Sequence, residues 1–295
     1  MTNELPPTID PVAAARWAAL SQTQSAWLHE EVARRMEDRL QWIATPPARW
    51  VHWEPLRGGI QAQALLAKRY PESVCFVVQG DAGTAARKRI IPSWWNPARW
   101  TGPAVRFEAP EQPVQMLWAN MALHMAADPL ALLQHWHSQI AVDGFLMFSC
   151  FGPDTLRQVR EVYAERGWPP PSHEFTDMHD WGDMLVRCGF AEPVMDMERI
   201  TLTFSSAANL VSELRELGRN LHPARFPALR SKAWRNQMQA ALQQKLAIPA
   251  EDGRLALTFE IIYGHAFKPQ RKLSVRAETT LSLDEMRQTL AKVKN

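Results

Sequence analysis

The chain has 295 residues, of which 46% are apolar and 22% charged. That composition excludes a disordered, collagen-like or small disulfide-stapled protein, and a formal charge of only +2 demands neither nucleic acid nor a membrane as partner. Cys75, Cys150 and Cys188 are too scattered for a disulfide framework or a CxxC metal site, so a reducing, cytoplasmic setting is expected. The opening MTNELPPTID lacks the basic start and apolar core of a secretory signal. No apolar run approaches the ~20 residues that cross a bilayer.

In chain order, residues 12–43 read as two helical pieces. Trp27, Leu28, Val32, Met36, Leu40 and Ile43 recur at three- and four-residue steps, and Thr45-Pro46-Pro47 stops the run. A short strand is expected at Val51–Glu54 and a helix at Ile60–Lys68. Val74–Val78 is β-branched, flanked by polar residues, and reads as a buried strand. Pro92, Pro97 and Pro103 forbid a long helix within 80–112, where Arg87, Lys88, Arg89, Arg99 and Arg106 alternate with Trp94, Trp95 and Trp100. A strand at Val114–Trp118, a helix at Pro129–Ile140, a strand at Gly144–Cys150 and a helix at Asp154–Arg166 follow. Repeated strand–helix units predict an α/β fold, with a parallel sheet covered by helices on both faces.

Trp168-Pro169-Pro170-Pro171 is a rigid break. Beyond it a helix is expected at Thr176–Cys188, capped by Thr176 or Asp177 and closed by Gly189. Strands are expected at Val194–Phe204 and Leu255–Phe267, paired antiparallel, with helices Ala207–Leu217 and Lys232–Ala247 inserted between them. Ser282-Leu283-Asp284-Glu285 matches a capping box for a last short helix. The expected organisation is an N-terminal helical segment over 1–50, a main domain over 51–269 with a helical insertion at about 205–250, and a tail over 270–295.

Two metal-like groupings have plainer readings. His135 and His137 point to different faces of one helix. Asp177, His179, Asp180 and Asp183 read as an acidic first turn favoured by the helix dipole, so no metal is expected. Phe151-Gly152-Pro153-Asp154 joins a strand to a helix, where ligand crevices of open α/β sheets lie. Phe151 and Asp154 are therefore candidates for the border of a substrate pocket, beside the plainer reading of a simple helix start. The basic tryptophan stretch 87–106 suits a solvated loop packed on the sheet, a single-stranded nucleic acid or an acidic protein. A second basic run, Arg215, Arg219, Arg225, Arg230, Lys232 and Arg235, lies in the insertion and favours an acidic carrier protein over nucleic acid.

The segments LHEEVARRM (28–36), AKRYP (67–71), FSCFGPDTL (148–156), FTDMHDWGDMLVRCGFAEPVMDMERITLTF (175–204) and TFEIIYGHAFKP (258–269) together resemble the malonyl-acyl-carrier-protein O-methyltransferases of biotin synthesis, the BioC family. The resemblance spans about residues 12 to 269. It implies a class I methyltransferase fold, Rossmann-like, with a seven-stranded, mostly parallel sheet and one reversed strand. It also implies S-adenosylmethionine as cofactor, and a malonyl thioester on acyl carrier protein as the substrate whose free carboxylate is methylated. Tyr263, His265 and Lys268, in the segment matching YGHAxKP, become candidates for carboxylate or carrier-arm recognition.

The cofactor half departs from the family pattern. Where the family has a loop like V-L-D-L-G-C-G-T-G, this chain reads VHWEPLRGG, Val51 to Gly59, with only Gly59 in register, Glu54 one step late, and Pro55 and Arg57 at glycine positions. The acid expected at the end of the second strand is Gln79, with Asp81 two residues on. Asn120 stands where the family has a serine–asparagine pair, and Gln22-Thr23 where it has Tyr-Asp. Glu54, Gly58, Gly59, Gln79, Asp81 and Asn120 are the candidate cofactor contacts. Three functions stay open from sequence alone: a carboxyl methyltransferase with an altered cofactor site, a non-catalytic relative acting as a binding or regulatory partner, or a nucleic-acid binder through the stretch 87–106.

Overall fold

The computed structural model describes residues 9–22, 24–80, 83–91, 95, 102–249 and 252–270. Its helices begin where short polar side chains take the first free amides. Asp10 accepts from the amides of Val12 (2.8 Å) and Ala13 (3.2 Å) to open α1, Pro11–Ala18. Helix α2, Trp27–Arg39, buries Leu28, Val32 and Met36 on one face. A single turn, α3, spans Pro55–Gly58, followed by α4, Ala62–Arg69, and α5, Gly83–Ile90. Helices α6 (Pro129–Gln139), α7 (Arg157–Glu165) and α8 (Met178–Arg187) follow. Asp177 caps α8 by accepting from the His179 amide at 2.7 Å, and Gly189 ends it at φ +94°. The insertion is α9, Ala207–Leu217, and α10, Lys232–Leu246, each opened by a serine cap, Ser206 and Ser231.

The strands are β1 (Arg49–Trp53), β2 (Val74–Val78), β3 (Val105–Arg106), β4 (Val114–Ala119), β5 (Ile140–Phe151), β6 (Ala191–Phe204) and β7 (Leu255–Phe267). They form one seven-stranded sheet ordered β3-β2-β1-β4-β5-β7-β6. Only β7 runs against its neighbours, paired antiparallel to both β5 and β6. This is the sheet that the family resemblance implies. Alternate residues of β4 and β5 feed two cores. Met116, Trp118, Phe145 and Met147 pack toward α2, α4 and the insertion, while Leu117, Leu146, Phe148 and Cys150 pack toward α6 and α8. Trp50 and Trp118 in the first core and Trp136 and Trp181 in the second are fully buried.

One helix starts later than its sequence predicts. The expected helix from Asp154 begins at Arg157, because the preceding turn is tied to β7. Glu260 Oε2 accepts from the Asp154 amide at 2.8 Å, and Thr155 Oγ1 bridges the Glu260 backbone, donating to its carbonyl at 2.9 Å. Gly152 makes room for that carboxylate, since a Cβ there would lie 2.6 Å from Glu260 Oε2. The expected final helix at Ser282 lies outside the described residues.

Gly264 of β7 sits opposite Phe148 of β5, and a Cβ there would run into the Phe148 ring and lie 2.8 Å from Met195 Sδ. Gly264→Ala is expected to lower unfolding free energy by about 1–3 kcal/mol through overpacking. Urea melts should show a lower midpoint with an unchanged slope; an unchanged midpoint would contradict this packing.

Candidate functional site

Strands β1, β2 and β4 end together, and the turn leaving β1 builds the crevice there. Glu54 extends the ladder by donating its amide to the Val78 carbonyl at 2.7 Å, then turns left-handed at φ 44° to start α3. The Leu56 amide donates to Gln79 Oε1 at 3.1 Å. Asn120 Nδ2 donates to the His29 carbonyl at 2.8 Å and to the Gly58 carbonyl, and its Oδ1 accepts from Ser149 Oγ at 2.6 Å. A Cβ on Gly58 would collide with the Asn120 carbonyl, and a Cβ on Gly59 would meet the His29 carbonyl at 3.1 Å. Gly58, Gly59, Gln79 and Asn120 therefore hold the turn against the sheet and α2.

The two ionised residues of the turn behave differently. Arg57 Nε pairs with Glu54 Oε2 at 3.2 Å. Arg57 Nη2 donates to the carbonyls of Trp17 (2.9 Å), Ala18 (3.0 Å) and Leu20 (2.8 Å), at the C-terminal end of α1. The guanidinium also lies 4.4 Å from the centre of the Trp17 ring. Arg57 Nη1 is buried without a hydrogen-bond partner. Glu54 reaches toward the end of β2, where a Cβ on Gly80 would lie 4.0 Å from Glu54 Oε1. Burial holds the Glu54 carboxyl above its ordinary range, with Arg57 pulling it back down.

Two adjoining cavities follow. The first, about 220 Å³, is lined by Trp17, His29, Trp53, Glu54, Arg57 and Met121 among others. His29 Nδ1 lies 2.6 Å from the Arg57 carbonyl, so that nitrogen carries the proton, and burial lowers the ring's pKa to about 4. The second cavity, about 300 Å³, lies between the β5 exit and the insertion, walled by His124, Phe151, Leu156, Phe175, Trp234 and Phe259. Met125 and Leu217 line both cavities. Arg215 and Arg219 line the second cavity and are exposed.

Of the sequence candidates, Glu54 lines the first cavity and Phe151 the second. Asp154 belongs to a separate hollow with Arg157 and Thr201, and pairs with Arg199 at 2.7 Å. Tyr263 is buried in the sheet and donates to Glu198 Oε1 at 2.5 Å. His265 stacks edge-on with Phe267 at 5.8 Å between ring centres. Lys268 Nζ donates to the carbonyls of His137 (2.9 Å) and Ile140 (2.8 Å), at the far end of β5. Tyr263, His265 and Lys268 line neither cavity. Asp81 and, within the basic tryptophan stretch, residues 92–94 and 96–101 lie outside the described residues. Sequence reasoning missed His29, His124 and His173. The only signal for His124 was its place four residues after Asn120, at the exit of a strand.

No family model matches the sequence. Whole-length relatives do. A malonyl-[acyl-carrier protein] O-methyltransferase of Gallionella capsiferriformans is 35% identical over 268 residues, covering 87% of this chain and 89% of the relative. The enzyme of the same name from Laribacter hongkongensis is 34% identical, with 85% of this chain and 86% of the relative covered. That from Nitrosospira multiformis is 31% identical over 280 residues, covering 89% and 90%. Among solved structures, a candidate methyltransferase from Bacillus halodurans superposes with a TM-score of 0.52 at 17% identity, over 81% of this chain and 99% of its own. The YcgJ protein of Bacillus subtilis superposes with a TM-score of 0.53 at 13% identity, again over 81% and 99%. The fold is that of class I methyltransferases.

Proposed function

The chain belongs to the malonyl-[acyl-carrier protein] O-methyltransferase family, and from that premise we propose how its two cavities divide the work of S-adenosylmethionine-dependent methylation of a malonyl thioester's free carboxylate. The observation that carries this reading is the shared wall of Met125 and Leu217 between a cavity at the strand ends that holds Glu54 and Arg57 and a second, ring-walled cavity under the insertion.

The first cavity fits the cofactor by its two charged residues. The amino-acid end of S-adenosylmethionine is a zwitterion, and the cavity offers a carboxylate, Glu54, beside a guanidinium with one unpartnered buried donor, Arg57 Nη1. The contacts that the resemblance implies for Gln79 and Asn120 are spent on Leu56, Gly58 and His29 instead. Glu54 and Arg57 would hold the amino-acid end, and Trp53, Met121 and Leu132 would supply apolar wall. When bound, S-adenosylmethionine supplies an electrophilic methyl group. A carboxylate needs no base to accept it, so the chain's own task is to align the oxygen and exclude water. Phe151, Phe175 and Phe259 pack as an aromatic wall of the second cavity, the surface suited to that task.

The partner is an acyl carrier protein bearing the malonyl thioester. Exposed Arg215 and Arg219 line the second cavity, and the same insertion also exposes Lys232, Arg235, Phe226 and Leu229. That mixture suits the acidic, amphipathic surface of a carrier. We place the reaction in the cytoplasm, which suits three free, scattered cysteines. Nothing in the cleft favours a non-catalytic role.

The reading predicts that calorimetric titration with S-adenosylhomocysteine gives micromolar binding. It also predicts that Arg219→Glu weakens carrier-protein binding about tenfold at low salt, with less effect at high salt. A folded sample that gives no heat or thermal shift with millimolar S-adenosylhomocysteine would contradict it.

A further inference from the structure

The wall of the second cavity contains a hydrogen-bond donor that the fold leaves without a partner. His124 sits in the short turn Leu123–Met125 after β4 and is 2% exposed. Its Nδ1 lies 3.4 Å from the Phe151 amide nitrogen. An amide N–H can only donate, so Nδ1 is the lone-pair nitrogen and Nε2 carries the ring proton. Nε2 is buried and has no partner. The neighbouring ring has the opposite polarity: His173 Nε2 donates to the His124 carbonyl at 3.0 Å, which leaves its Nδ1 as an unpartnered acceptor.

We infer that His124 Nε2–H is the positioning donor for the substrate's reacting carboxylate, taking one of its oxygens and leaving the other to the methyl group. This rests on the function proposed above.

Three observations support the assignment. First, His124 stands at the boundary between the cavities. Its ring centre is 4.6 Å from that of Phe151, and Phe151 in turn lies 6.1 Å from His29, a wall residue of the cofactor cavity. Second, the ring stays neutral. Burial, then His173 and His29, hold its pKa well below the ordinary value. A neutral donor orients a carboxylate without quenching its charge, whereas a fixed cation would stabilise the anion and slow its attack. Third, the cations on this cavity are held at its edge. Arg219 donates to the carbonyls of Arg215 and Gly218, the latter at 2.8 Å, and lies over Trp17 at 5.5 Å. A buried donor without a partner costs free energy in the empty protein, and an incoming carboxylate oxygen recovers it. The ester product has lost the charge that makes the bond strong, which favours its release.

The test compares malonyl-pantetheine with acetyl-pantetheine, which lacks the carboxylate, by calorimetry in the presence of S-adenosylhomocysteine. The variants are His124→Phe, which keeps the aromatic volume and removes the donor, and His124→Gln, whose amide N–H can stand in for Nε2–H. His124→Phe also loses the acceptor for the Phe151 amide, which Gln Oε1 can replace, so acetyl-pantetheine binding and urea melts of each variant separate a folding effect from the loss of the donor. His124→Phe is expected to weaken malonyl-pantetheine binding about 10- to 100-fold, the range for one hydrogen bond to a charged group. Acetyl-pantetheine binding should stay unchanged, and His124→Gln should restore most of the malonyl affinity. Nitrogen NMR of the wild-type ring should show the proton on Nε2. Equal losses for both thioesters, unchanged malonyl binding in His124→Phe, or a proton on Nδ1 would overturn the assignment. Wild-type protein that binds neither thioester would instead contradict the proposed function, and this assignment with it.

Discussion

Arg57→Met is expected to weaken S-adenosylhomocysteine binding by about 100-fold or more. The substitution removes a charge-assisted contact worth about 1.5–3 kcal/mol and also releases the cavity wall. Arg57 is the clasp between the turn after β1 and the end of α1, through three backbone carbonyls of that end. Its loss leaves those carbonyls without a charged donor and leaves Glu54, whose carboxyl burial already pushes up, without its cation. The two side chains are 13% and 29% exposed, so part of the pair energy is screened by solvent. A stability loss of about 1–3 kcal/mol is expected, mostly from the unpaired carboxyl. The double variant Glu54→Gln, Arg57→Met should regain much of that stability and none of the cofactor affinity. Calorimetry and urea melts on the same samples separate the two effects. Unchanged S-adenosylhomocysteine affinity in Arg57→Met would remove Arg57 from the cofactor site.

Mild acid is expected to be the second large perturbation. His29, His52 and His173 are held neutral by burial, each with its pKa lowered to about 4, and burial holds His124 well below its ordinary value too. In the unfolded chain these rings take up protons near pH 6.5. The unfolded state therefore binds more protons below that pH, and stability present above 6.5 is lost as the pH falls toward 4. At pH 5 each of His29, His52 and His173 costs about 2 kcal/mol relative to neutral pH. The three together reach the lower end of the roughly 5–15 kcal/mol that holds a typical domain folded. The urea midpoint should fall steeply between pH 6.5 and 5, above the range where carboxylates titrate. His52→Phe, remote from both cavities, should reduce the steepness by about one proton. A midpoint flat from pH 7 to 5 would show that these rings are not held neutral.

How far the sequence anticipated this molecule depended on the range of the interactions involved. The strand VCFVV and helix α8, with Asp177 and Gly189 at its ends, are specified by residues within one turn of each other, and both are legible. The start of α7 is set by Glu260, more than a hundred residues away, so local pattern placed it three residues early. The FGPDT segment pointed to a ligand crevice. Phe151 and Thr155 do line the second cavity, but Gly152 is there to admit the Glu260 carboxylate, and Asp154 faces Arg199. Arg57 looked like an obstruction in a glycine loop. Its role as a clasp needs the carbonyls of α1, which lie about forty residues earlier. His124 became visible only through the amide of Phe151, which decides where its proton sits.

The measurement that tests the central claim most directly is methyl transfer from labelled S-adenosylmethionine to malonyl-acyl-carrier protein by the purified protein. The account predicts label in a base-labile ester on the malonyl carboxylate, and none on acetyl-acyl-carrier protein. Label that appears equally on both carriers, or no transfer by folded protein that binds S-adenosylhomocysteine and the malonyl carrier, would contradict it.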